Sequence, residues 1–118
     1  MIDKKQWIKD WGTESKSQEI SIDLTETFEG FLCYLQDVRK LAKKTINRHK
    51  TSCHALGGYI IHDLFDSFSP SSEKSKRGKE LLFDYINKNE GPLITQDHES
   101  WQNEYDATCR QLYKYLNL

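Results

Sequence analysis

The chain has 118 residues, of which 36% are hydrophobic, 30% charged and 12% aromatic, and its formal net charge is -1. That length suits one domain around one core, and the aromatic content excludes a disordered segment. No apolar run approaches the roughly 20 residues that cross a bilayer, and the amino terminus MIDKKQWIKDWG lacks the apolar stretch of a secretory signal, so a cytoplasmic protein with no membrane role is expected.

The first 23 residues read as an N-terminal arm ahead of a single helical domain at 24–118. In the arm Ile2, Trp7, Ile8 and Trp11 can share part of a surface on a short helix, and a polar loop from Gly12 to Glu19 follows. Two tryptophans on so short a segment suggest a surface for a protein partner or for self-association.

Thr25 followed by Phe28, Phe31, Leu32, Leu35 and Val38 gives the three-and-four spacing of a helix with one apolar stripe, from about Thr25 to Arg39. Thr45 then suits the N-cap of a second helix reaching about Leu64, with Ile46, His49, Cys53, Leu56, Ile60 and Leu64 turned inward. Gly57 and Gly58 fall inside it. Each costs on the order of 1 kcal/mol relative to Ala, so close packing against a neighbour or a kink is expected there.

Ser67 to Ser75, with Pro70, reads as a loop, and Leu81, Leu82, Tyr85 and Ile86 mark a third helix stopped by the run Asn87 to Pro92. A last helix should start near Thr95 or Asp97 and carry Trp101, Tyr105, Cys109, Leu112 and Leu116 on one face. No segment alternates convincingly with period two. The expected fold is all-α, a compact bundle of four main helices plus a short N-terminal helix or arm.

Charge is uneven along this chain. Residues 38–62 contain Arg39, Lys40, Lys43, Lys44, Arg48 and Lys50 and no acid, whereas both flanking ends are acidic. Because screening at physiological salt limits the reach of distant charges to about 8 Å, such a segment can present a positive face on a nearly neutral protein. A helix start beside Lys43 and Lys44, with Arg48 one turn in, suits a phosphate. Asn47, Arg48, Lys50 and Thr51 face away from the apolar stripe and are residue types that contact phosphates or base edges. The same pattern is also that of a solvated face balancing the acidic ends.

Other chemistry has less to stand on. His49 and Cys53, with His54 or His62, do not make the paired short spacings of structural zinc, and core contacts account for them better. The odd, widely spaced Cys33, Cys53 and Cys109 read as buried thiols in a reducing compartment, not as a disulfide framework. The acid pairs Asp97/Glu99 and Glu104/Asp106 read as helix-start and solvent-face charges, and Trp101, Tyr105, Tyr113 and Tyr115 as core aromatics more than as a ligand pocket. No nucleophile turn, phosphate loop, dinucleotide fingerprint or metalloprotease helix is visible, so no enzyme, cofactor or metal is expected.

From Phe28 to Leu64 the chain resembles the amino-terminal core-binding, SAM-like domain of phage integrases and other tyrosine recombinases. Phe31, Tyr34 and Leu35 match the first helix of that domain, and Leu41, Lys44, Thr45 and Ile46 match its leucine-serine-x-lysine-threonine-isoleucine turn. The whole chain also resembles a group of small bacterial proteins with the ordered signatures KTINRH, ALGGYII, GPL and DATCRQLYKYL, which implies no function. The integrase resemblance implies a helical module clamping double-stranded DNA through Lys43, Lys44, Arg48 and Lys50, to which Thr45 and Asn47 are added by position. The catalytic arginines, histidine and tyrosine of recombinases have no counterpart in these residues, so strand cleavage is not expected. The competing expectation is a protein-interaction or oligomerisation module with no nucleic-acid role.

Overall fold

Ile20, Leu24, Phe28, Phe31, Leu32 and Leu35 recur every three to four residues and are all essentially buried, so they build one helix with one inward stripe. In the computed structural model, which describes residues 2–12, 18–66, 78–94 and 98–118, this is α2 (Gln18–Asp37). It follows the short α1 (Lys4–Asp10) and precedes α3 (Lys43–Asp66), α4 (Gly78–Phe83) and α5 (Glu99–Leu116). The fold is all-α, with no strand among the described residues.

The core lies between α2, α3 and α5. Cys53, Leu56, Ile60, Ile61 and Leu64 of α3 and Cys109, Leu112 and Leu116 of α5 close on the α2 stripe. Each fully buried Leu or Phe there stabilises the fold by about 1.5–3 kcal/mol relative to an exposed one. Leu81 and Leu82 of α4, both buried, seal the α2 side.

α2 begins about two turns earlier than the expected start near Thr25. Thr25 is interior and buried, and its hydroxyl donates to the Ile22 carbonyl at 2.7 Å instead of capping a helix. α2 also ends sooner, with Lys40 at φ 55° in the left-handed region and Val38, expected on the stripe, 65% exposed. The turn is closed by the amides of Val38 and Arg39 donating to the Tyr34 carbonyl and that of Leu41 to the Leu35 carbonyl.

α1 is not a free arm. Trp7 and Trp11 are each only 6% exposed, and their rings pack on one another at 5.7 Å and on Phe28 at 6.4 and 6.5 Å. The Trp11 indole N–H donates to the His54 carbonyl at 3.0 Å, tying α1 to α3. The expectation that these two indoles face a partner is therefore corrected: burial of their large apolar area within this chain takes precedence. Gly57 is the reason Trp11 fits, since a Cβ built there would meet the ring at 2.6 Å from Cη2.

α4 is a turn and a half and ends at Phe83, after which the Ile86 amide still reaches the Leu82 carbonyl at 3.0 Å. The segment from Asn87 to Ile94 is strapped onto α5. Gln102, buried, donates to the Pro92 carbonyl and to Asp106, and accepts from the Ile94 amide, all within 3.0 Å. Arg110 donates to the Asn89 carbonyl at 3.0 Å. Trp101, expected inward, is instead 53% exposed, because Gln102 takes the inward place next to the strap. The Ser67–Ser75 loop and the expected helix starts at Thr95 and Asp97 lie outside the described residues. No helix among the described residues is long and apolar enough to cross a membrane.

Candidate nucleic-acid interface

The basic segment folds as the turn after α2 and the first two turns of α3. α3 starts at Lys43, with the Ile46 amide donating to the Ala42 carbonyl at 3.0 Å, so Ala42 and not Thr45 stands at the N-cap position. Thr45 is corrected accordingly: it is a half-buried first-turn residue, pointing about 100° round the helix from Lys44 toward the packed side. Two lysines and no acid in this first turn oppose the helix dipole, at a cost of about 0.3–1 kcal/mol per charge.

Lys43, Lys44, Asn47 and Arg48 are exposed and Lys50 is half-buried. At about 100° per residue Lys44, Asn47 and Arg48 point away from Ile46, His49 and Cys53, Lys43 stands to one side, and Lys50, about 40° from Ile46, lies at the edge of the packed side. No ion pair to a carboxylate holds Lys43, Lys44, Arg48 or Lys50 among the described residues. Arg39 reaches across to α5, donating to Gln111 at 3.3 Å, so it is drawn away from the others.

The face continues into an open groove of about 370 Å³ lined by Trp7, Asn47, Lys50, Thr51 and His54. Its α3 walls fall at i, i+3, i+4 and i+7 from Asn47, a single helix face. His54 Nε2 meets Asp10 Oδ2 at 3.0 Å, and Gln6 donates to the other carboxylate oxygen at 2.8 Å. These two hydrogen bonds, the Gln6 one foremost, hold the Asp10 carboxyl below its ordinary range. Asp10, bonded to the groove residue His54, is thus engaged by His54 and Gln6. Sequence reasoning found Asn47, Lys50 and Thr51, but had no signal that α1 would supply the opposite wall.

His49 does not belong to this face. Its Nδ1 lies 2.7 Å from the Thr108 hydroxyl on α5, its ring packs edge-on to Phe31, and burial pushes its pKa below the ordinary 6.5. Cys53 is buried beside it on the same stripe. Among the described residues no group of three His, Cys, Asp or Glu side chains is placed to hold a metal. Tyr113 packs on Phe83 at 5.5 Å and Tyr115 on Phe31 and Tyr34 at 5.7 and 5.3 Å, which makes them packing aromatics.

No protein-family model, no curated protein and no solved structure matches the chain.

Proposed function

We propose that this chain is a non-catalytic helical module that binds double-stranded DNA through the face of α3 bearing Lys43, Lys44, Asn47, Arg48 and Lys50, with Thr45 at its edge. The observation that carries the reading is four cations gathered on the first two turns of one helix without a carboxylate partner among the described residues. Their placement against the α3 dipole, with no acid in the first turn, is costly in the free protein and is relieved by an anion. The resemblance to the SAM-like core-binding domain of tyrosine recombinases points to the same face and the same ligand. Three free thiols suit a reducing, cytoplasmic setting for such a module. A gel-shift series with a random-sequence duplex at low salt tests it: the wild type shifts the duplex, and Lys43→Ala/Arg48→Ala shifts it only at higher protein concentration.

A second reading, a protein-interaction or oligomerisation module, is favoured by one observation away from Trp7 and Trp11. Trp101 is 53% exposed with His98 stacked on it at 4.2 Å, and Leu93 is 60% exposed. Light scattering of wild type and Trp101→Ala over a concentration series tests it; a mass above the monomer that the variant loses supports this reading.

A further inference from the structure

We propose that the groove between α1 and α3 receives one unpaired nucleotide at the end of a DNA strand whose duplex lies on the basic face. The inference rests on the DNA reading above and names a finer substrate for the same surface. Asn47 and Lys50 belong both to the basic face and to the groove wall, so a strand leaving the face along α3 enters the groove without crossing another element. The volume of about 370 Å³ falls in the range of roughly 300–1,000 Å³ that takes a small organic ligand.

The lining chemistry favours a base over a bare phosphate. A phosphate site needs donors only, whereas this wall mixes donors and acceptors. Asn47 offers both an amide oxygen and an amide N–H pair. His54 Nε2 is held by Asp10 at 3.0 Å, which leaves Nδ1 as the ring nitrogen that this carboxylate does not engage. The Thr51 hydroxyl donates to the Asn47 carbonyl at 3.1 Å, leaving its lone pairs as a further acceptor. An aromatic surface is also present: the His54 side chain is 39% exposed, and its ring is held nearly perpendicular to that of Trp7, 5.1 Å between centres. A base stacks on such a ring whatever its identity, while Lys50 at the rim meets the phosphate attached to it.

The test is fluorescence anisotropy at low salt with one duplex in two forms, blunt and with a four-nucleotide unpaired extension. The wild type should prefer the extended form by about tenfold, the size of one base stacked on an aromatic ring. His54→Ala removes the ring; its exposed pair with Asp10 contributes little to folding. It should bind the blunt duplex as the wild type does and lose the preference. Equal affinity of the wild type for both forms overturns the proposal, and so does a preference that survives in His54→Ala. Should the variant fail to fold, equal affinity of the wild type for the two forms still overturns the proposal. Salt-sensitive binding of the blunt duplex with no preference sinks the groove alone, whereas binding of neither form sinks the duplex reading as well.

Discussion

The Trp11 indole packs against the backbone of α3 at Gly57, with room for no side chain: a Cβ there would fall 2.6 Å from Cη2 and 2.9 Å from Cε2 of the ring. The same ring caps Phe28 and donates to the His54 carbonyl, so one contact fixes α1, the groove wall and the core together.

Gly57→Ala therefore should destabilise the fold by about 1–3 kcal/mol, since overpacking outweighs the gain in helix propensity of about 1 kcal/mol. Gly58 meets Trp11 Cδ1 only at 3.4 Å, ordinary contact, so Gly58→Ala should be neutral or stabilising by up to about 1 kcal/mol. Urea unfolding of the two variants reads the opposite signs.

Acid should weaken the protein through His49. Burial holds its folded pKa below 6.5, so below that pH the unfolded chain takes a proton that the native one refuses. Stability then falls as pH drops through 6.5, and the loss is complete below the folded value. Urea midpoints at pH 7.5 and 5.5 should differ in wild type, and His49→Gln, which keeps a partner for Thr108, should narrow the difference.

Gln102→Ala should cost about 1–3 kcal/mol, because the Ile94 amide and the Pro92 carbonyl lose their partner in a half-buried strap. Hydrogen exchange should speed up at the Ile94 amide and leave the α3 core protected. Unchanged exchange there would mean the strap is held by Arg110 and Asp106 alone.

Thiol labelling of the native protein should modify Cys33 well before the other two. Burial, reinforced by Cys109, pushes the Cys53 thiol well above 9.0, and burial with Asp106 nearby pushes Cys109 up to about 12, so little thiolate is present at either. Cys33 is only half-buried. One fast and two slow modifications by mass spectrometry is the expected pattern.

The parts of the fold legible in the sequence are those whose apolar period is unbroken. Ile46, Cys53, Leu56, Ile60 and Leu64 are all buried as spaced, and the polar side of α3 stands out as the cation-bearing face. The earlier start of α2 was obscured because Ser21 and Thr25, polar and fond of helix caps, sit buried inside it; packing of Ile20 and Leu24 overrides that local preference. Gly57 and Gly58 signalled close packing, but nothing in their neighbourhood names Trp11, 46 residues upstream of Gly57, as the partner. For the same reason the groove was half visible: its α3 residues form a helix face, while Trp7 joins them only through tertiary packing. Gln102 carries no periodic signal at all, because its inward place is set by two hydrogen bonds to a loop, to Pro92 and Ile94, and one to Asp106 on its own helix.

The claim that α3 presents a DNA-binding face is tested most directly by duplex affinity as a function of salt. If Lys43, Lys44, Arg48 and Lys50 each meet a phosphate, log affinity should fall against log salt with a slope near -3.6, about 150-fold between 50 and 200 mM. Lys43→Ala/Arg48→Ala should halve that slope and reduce the change to about tenfold. No binding at 50 mM salt, or a slope the double variant leaves untouched, would contradict the account.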